Sequence, residues 1–342
     1  MRAYFIRRLL LVPPTLLGIT LIVFFITRIV PGGPLERALT QMQMQSFEGG
    51  KSSMQTDASS NFALSEDQLD QLKAYYGFDK PWYLAYCSWI WEVAKGNLGT
   101  SYRYNEPVWD IIKTRFPISI YYGILTMLIT YLVCIPLGLI KAIRHNGWMD
   151  NSSSILIFMG YAIPNYVLGS FLVVFLAARL EWFPMGGFVS DNFEELTLSG
   201  KFFDLVSHST LPLICYLVGS FAFLTLLMKN NLMDHLASDY VRTAIAKGNS
   251  FKKTVVKHAL RNACIPIATN FGQNLTLIFT GSFLIETIFD IDGFGLLGYT
   301  SILDRDYPVV MGVLLIASFL LLVGNILSDV LVTLVDPRIR FE

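Results

Sequence analysis

The sequence predicts an all-α integral membrane protein with six transmembrane helices. Apolar residues make up 53% of its 342 positions, and the mean hydropathy is +0.50. Both exceed what an ordinary soluble chain shows. The apolar residues also gather into runs near the roughly 20 residues a helix needs to cross the hydrocarbon of a bilayer. The runs are Leu9–Val30, Ile118–Ile140, Ser154–Ala178, Leu211–Met228, Ile265–Ile285 and Val309–Leu331. No run carries a charge near its centre. Arg28, Lys229, Glu286 and Asp329 fall at the ends, where they are expected to reach water.

The first run follows Met1-Arg-Ala-Tyr-Phe-Ile-Arg-Arg8 and is too long for the core of a signal peptide. No Ala-x-Ala cleavage site follows it, so residues 1–30 read as an N-terminal tip and a retained helix. The flanks give direction. With the N-terminus inside, the inner pieces hold Arg2, Arg7, Arg8, Lys141, Arg144, Lys229, Arg242, Lys247, Lys252, Lys253, Lys257, Arg261, Arg338 and Arg340. The short outer loops, 179–210 and 286–308, hold only Arg179, Lys201 and Arg305. That asymmetry predicts both termini in the cytosol.

Residues 31–117 form a long external segment before the membrane core at 118–335. Within it, 40–63 is rich in Gln, Ser, Met and Gly without periodicity and reads as flexible. Ser65 and Gln68 then make a capping box, Asp79 and Pro81 mark a helix start, and Gly77 and Gly96 suit helix ends. Two short helices are expected, near 66–76 and 80–95. The second is dense in aromatics (Trp82, Tyr83, Tyr86, Trp89, Trp91), which fits a membrane-surface belt, a small core or a docking face.

The third run contains Gly160, Pro164 and Asn165, and Pro164 is expected to kink it. The kink suits a gate or static packing equally. After the fourth run, residues 229–262 make a polar loop too long for a plain turn. Ser238 or Asp239 can cap a short helix that ends at Gly248. Tyr240, Thr243, Ala244 and Lys247 share one face of it, and Asp239, Arg242 and Ala246 complete the segment. The small side chains allow another protein to approach closely. Ser250 caps a second helix with Lys253, Lys257 and Arg261 four apart. Topology and attraction to anionic lipid explain those charges, but not the small-residue helix or the reversal at Gly248.

The fifth run carries a polar stripe: Thr269, Gln273, Thr276 and Thr280, widened by Asn270 and Asn274. In lipid such a face must turn to protein or water. Helix-to-helix hydrogen bonding is the plainer use, and pore lining is the reading preferred for six polar residues on one stripe.

Absences exclude other classes. Cys87, Cys134, Cys215 and Cys264 have neither zinc spacing nor a disulfide framework, and His145, His208, His235 and His258 are scattered. No metal, cofactor or nucleic-acid partner is therefore expected. There is no Gly-x-x-x-x-Gly-Lys-[Ser/Thr] loop to cradle ATP and no hydrolase elbow or His-Glu-x-x-His, so the chain is not expected to be an enzyme. A self-sufficient secondary transporter or channel is the rival reading. It requires carboxylates at mid-membrane or an inverted repeat, and neither is visible.

Residues 239–266 resemble the EAA loop of bacterial ABC-importer permeases. Arg242, Thr243 and Ala244 stand in the Glu-Ala-Ala places, Gly248 in the glycine place, and Leu260-Arg261 where Leu-Pro is usual. This form, with Tyr-Val-x-Thr-Ala-x-Ala-Lys-Gly and His-x-x-Arg-Asn-Ala, is similar to the peptide/nickel (oligopeptide/dipeptide) branch. So are the Arg-Arg-Leu start, Pro31-Gly32-Gly33-Pro34, Gly77-Phe78-Asp79-Lys80-Pro81, Gly99-x-Ser101, Arg305-Asp306-Tyr307-Pro308 and Asp336-Pro337-Arg338, which fit its B-type subunits. The 40–63 insert and Gly160-Tyr-Ala-Ile-Pro164 look closest to the YejB-like subgroup. Ile291-Asp292-Gly293-Phe294-Gly295 departs from the branch's usual Pro-Gly-Leu-Gly.

The resemblance implies a type I ABC-importer permease fold with a partly helical periplasmic segment, in a bacterial inner membrane. It implies a homologous second permease, two cytosolic ATPases and an external solute-binding protein as partners. It also implies that the helix at 239–248 couples to the ATPases, which would drive import of peptides or peptide-like compounds through a shared pore.

Overall fold

A computed structural model describes residues 2–30, 33, 36, 70, 71, 73, 74 and 79–335, with the backbone alone at 2, 3, 273 and 275–280. Among the described residues the regular structure is helical, with one isolated bridge between Thr100 and Pro107. Four helices are long and apolar enough to cross a membrane: α1 (Arg2–Ile29), α3 (Val108–Ile143), α6 (Leu198–Leu236) and α13 (Tyr307–Val335). Between α1 and α3 lies α2 (Trp82–Ala94). The 40–63 insert, the Ser65–Gln68 box, Gly77, the ends of the 66–76 helix, three residues of Pro31-Gly32-Gly33-Pro34 and Asp336-Pro337-Arg338 lie outside the described residues.

Two of the expected spans differ. The run at Ser154–Ala178 is not one kinked helix. It divides into α4 (Trp148–Ala162) and α5 (Asn165–Leu172), the latter continuing as a π-helical turn to Arg179, and the two parts meet at 90°. Ile163 is extended (φ −90°, ψ 121°), the conformation that the ring of Pro164 imposes on its predecessor. The break pair counts as a fifth span if taken together. The run at Ile265–Ile285 is α10 (Ile265–Thr280), which stops at Gly281 (φ 63°), and then the short α11 (Phe283–Ile288). Sixteen residues rise about 24 Å, less than the roughly 30 Å of hydrocarbon.

Close contacts divide the chain into two compact units. One comprises 1–13, 113–299 and 316–342, the other 14–112 and 300–315. In the larger unit, Cys134, Leu224, Met228, Leu232, Val241, Ala259, Ala263 and Ile267 form one core, and Tyr122, Leu211, Cys215, Ile285, Phe289 and Ile291 a second. Small residues allow two helices to approach closely. A Cβ on Gly272 would overlap the Gly324 carbonyl, and one on Gly324 would lie 2.7 Å from the Gly272 oxygen. Ser328 ties the same crossing, donating to Ala268 O at 2.7 Å and accepting from Gly272 N at 3.3 Å.

In the smaller unit α2 packs through Tyr86, whose hydroxyl donates to Leu17 O at 2.8 Å and whose ring lies 5.3 Å from Phe24. Trp82, Tyr83 and Trp91 stay exposed. The aromatic helix is thus part small core and part open surface. It ends as its glycine predicts: Gly96 (φ 85°) donates to Val93 O and Asn97 to Glu92 O, a paired closure of the last turn. Two motifs far apart in sequence meet here. Asp306, 1% exposed, accepts from the Ser101 hydroxyl and from the amides of Tyr102 (3.1 Å) and Arg103 (3.3 Å). Ser101→Ala therefore leaves a buried carboxylate short of a donor, and an expected loss of about 2 kcal/mol is checked by thermal unfolding in detergent.

Candidate functional site

The polar loop after α6 is a helical hairpin with one face welded to the larger unit and the other open. Ser238 occupies the cap position of α7 (Asp239–Ala246), but its hydroxyl turns back to Asp234 O at 3.0 Å rather than to the helix amides. Val241 is buried at 2% exposure and fixes the inner face. Asp239, Tyr240, Arg242, Thr243, Ala246, Lys247 and Gly248 are exposed, and Ala244 is half-buried. Tyr240, Thr243 and Lys247 of the shared face are thus open, and Ile245, one turn on from the buried Val241, is exposed as well.

The reversal is a Schellman closure. Gly248 N donates to Ile245 O at 2.9 Å, and Asn249 N donates to Ala244 O at 3.3 Å. Gly248 sits at φ 89°, where a side chain is strained although the space around it is empty. Ser250 then caps α8 (Phe251–Thr254) by accepting from Lys253 N. The rod continues through a π-helical turn, Val255–Ala259, into α9 (Leu260–Ala263). Val255, Ala259 and Ala263, four apart, are buried, while Lys252, Lys253, Lys257 and Arg261 are exposed. Arg261 Nε donates to Val335 O at 2.8 Å, and Asn262 Nδ2 to the Tyr240 hydroxyl at 3.4 Å.

At the base of the hairpin, a buried charge cluster joins three helices. Asp150 accepts from Lys229 at 2.8 and 2.9 Å and lies 3.1 Å from Lys141. Lys141 is fully buried and also donates to Asp150 O, Ser153 Oγ and Ser154 Oγ, each at 2.8 Å. Lys229 was expected to reach water and is instead paired inside. Glu286, expected in water too, is 1% exposed. It accepts from Leu296 N at 2.6 Å and Ser119 Oγ at 3.2 Å, at the start of α12 (Phe294–Asp304), with Gly281 and Gly293 leaving room for its carboxylate. Asp329, the third of these charges, pairs with Arg8.

A cavity of about 450 Å³ lies within the larger unit. Thr126, Thr130 and Tyr131 of α3, Asn165 of α5, Tyr216 of α6 and Asn274 of α10 line it together with apolar side chains, and among the described residues no charged one does. Asn274 Nδ2 donates to the Tyr131 hydroxyl at 3.0 Å. Of the polar stripe on α10, Asn274 thus reaches the cavity. Thr269 and Asn270 donate to their own helix, to Ile265 O and Pro266 O. The side chains of Gln273, Thr276 and Thr280 lie outside the described residues. Sequence reasoning missed the stripe on α3, although Ser119, Tyr122, Thr126 and Thr130 recur at spacings of 3 and 4 and carry the same kind of signal.

Among the described residues, no group of three or more His, Cys, Asp or Glu is arranged to hold a metal ion.

Comparison with known proteins gives the context for this geometry. Residues 134–341 match the family model described as binding-protein-dependent transport system inner membrane component. The peptidoglycan transport system permease protein YejB of Agrobacterium fabrum is 38% identical, covering 100% of this chain and 99% of the relative. The inner membrane ABC transporter permease protein YejB of Escherichia coli O157:H7 is 40% identical with both chains covered in full. The oligopeptide transport system permease protein AppB of Bacillus subtilis is 34% identical, again over the whole of both. The matched region takes in the exposed hairpin, its buried base and most of the cavity wall, and a chain matched over that span belongs to the family of binding-protein-dependent transport system inner membrane components, as a multi-pass permease subunit of the inner membrane.

Proposed function

We propose that this chain forms half of the translocation pore of an ATP-driven importer for peptides or peptide-like compounds. Its partners are a homologous second permease, two cytosolic ATPases and an external solute-binding protein. Six membrane crossings, with both termini in the cytosol, agree with the basic residues of the inner loops. In this reading the break pair α4–α5 and the pair α10–α11 each make one crossing, and residues 31–117 are periplasmic. The peptide class follows from relatives named for oligopeptide and peptidoglycan transport.

The observation that carries the coupling assignment is the two-faced α7. Its inner side is anchored by Val241, while Tyr240, Thr243 and Lys247 stand open beside a fixed reversal. The ATPases hold this face, and their ATP-dependent closure moves the helices welded to it. ATP itself is hydrolysed by the partners. The polar side of α10 (Thr269, Asn270, Gln273, Asn274, Thr276, Thr280) borders the path of the solute. Conformational work of this kind requires that the ATPases hold the two states of the permease with unequal affinity.

Gly248→Val tests it. Placing a β-branched residue at φ 89° costs on the order of 1–2 kcal/mol in the turn, enough to disturb the outer face without reaching the buried one. Uptake of a labelled peptide is expected to fall about tenfold while the amount of inserted protein stays the same. Co-purification of the ATPases is expected to weaken in parallel. Normal uptake and undiminished co-purification in this variant would remove the coupling assignment.

A further inference from the structure

The turn between α3 and α4, residues 144–147, carries an arginine that the rest of the chain leaves to the outside. Arg144 is exposed, and its guanidinium makes one contact among the described residues, with Met149 Sδ at 3.9 Å. The carboxylate closest in sequence, Asp150, is already committed to Lys141 and Lys229. Asp150 also accepts from Asn146 N at 3.0 Å, and Arg144 O accepts from Gly147 N at 2.9 Å. The buried cluster therefore locks the turn, and the open guanidinium stands on a fixed base.

An apolar track leads to it. Leu132, Pro136, Ile140 and Ile143 follow one another along α3 at spacings of four, four and three, and all are exposed. Such spacing keeps them on one face of the helix. Ile140, Ile143, Arg144 and Met149 border an open depression of about 360 Å³ at the end of the track. Trp148, the first residue of α4, is 85% exposed beside the turn. From Leu132 to Arg144 the chain rises about 18 Å, close to the roughly 15 Å of hydrocarbon in one leaflet. Arg144 thus stands where the hydrocarbon ends, and a tryptophan, which favours that boundary, stands next to it.

We propose that this face binds one anionic phospholipid, its phosphate held by Arg144 and an acyl chain lying along Leu132, Pro136, Ile140 and Ile143. A guanidinium offers a planar fork of donors that matches phosphate oxygens. Its charge favours a headgroup of net negative charge over a zwitterionic one. Another protein chain on this face would have to supply both a long apolar strip and an anion at its end. A phospholipid carries the two in one molecule and is always within reach in a bilayer. The inference holds whatever the importer carries.

The complete transporter in mixed micelles, titrated with phosphatidylglycerol or phosphatidylcholine brominated near the head of the acyl chains, tests it. Bromine quenches tryptophan on contact, and the difference from Trp148→Phe isolates the signal of Trp148. Half-quenching is expected at about fivefold less phosphatidylglycerol than phosphatidylcholine, the ratio that one arginine at a membrane surface supplies. Arg144→Gln is expected to abolish that preference and, since the side chain is exposed, to leave the thermal midpoint in detergent unchanged. Lys252→Gln/Lys253→Gln, which removes exposed charge elsewhere on the chain, is expected to keep the preference. Equal quenching by the two lipids in the original protein overturns the inference. So does a preference that survives in Arg144→Gln, or one that is lost equally in the lysine variant. Quenching of Trp148 by neither lipid would mean that a partner chain covers this face, and overturns it as well.

Discussion

Asp150→Ala is expected to destabilise the protein by about 3–5 kcal/mol, the range for stranding buried charge by removing one partner of an ion pair. Two lysines depend on this one carboxylate. Lys229 reaches both of its oxygens, and Lys141 is wholly enclosed. Lys141 keeps its bonds to the Asp150 carbonyl and to Ser153 and Ser154, yet both ammonium groups lose their counter-charge. Thermal unfolding of the detergent-purified protein, together with the yield of inserted chain, measures the effect. The triple variant Lys141→Met/Asp150→Leu/Lys229→Met removes all three charges and is expected to recover most of the loss, as apolar replacement of a buried ionic cluster commonly does. An unchanged midpoint for Asp150→Ala would mean that the cluster does not hold α3, α4 and α6 together.

Gly272→Val is the second large effect, and its origin is steric. A side chain at 272 meets the Gly324 carbonyl, a backbone atom that no rotamer change can move aside. The two helices must part, and Ser328 then loses its bonds to Ala268 O and Gly272 N. Overpacking of this kind costs about 3 kcal/mol, and small residues at a membrane helix crossing have few alternatives because close van der Waals approach is what holds such helices together. Gly272→Ala is expected to show a smaller loss in the same unfolding assay. If valine at 272 left the midpoint in place, the crossing would have to be looser than these contacts indicate.

The long helices were legible because twenty apolar residues in a row have few other uses, and α1, α3, α6 and α13 cover four of the expected runs, the first except for Val30. The hairpin was legible through its punctuation: Gly248 and Ser250 do locally what glycine and serine do at helix ends. The breaks were harder. Hydropathy is blind to the angle of a backbone turn, so Pro164 announced a bend but not one of 90°, and Gly281, between Thr280 and Ser282, lay inside a run read as one helix. Charges at run ends misled for a related reason. Sequence position says that Lys229 and Glu286 can reach water, whereas Asp150 and the hydroxyl of Ser119 offer partners inside, and those partners come from remote parts of the chain. The α3 stripe was readable and overlooked, since its threonines are individually ordinary.

In mechanical terms, stiffness is unevenly spread through the larger unit. Helix α6 runs 39 residues without interruption, about 58 Å at the rise of an α-helix, and passes almost directly into the exposed hairpin. A push applied at α7 travels along it as along a connecting rod. The junctions at 163–164 and 281–282 are joints, places where rotation about a few backbone bonds replaces the bending of a rod. The cavity wall includes both a length of rod and two joints. Its dimensions can therefore change through torsion at four residues, without bending the long helices.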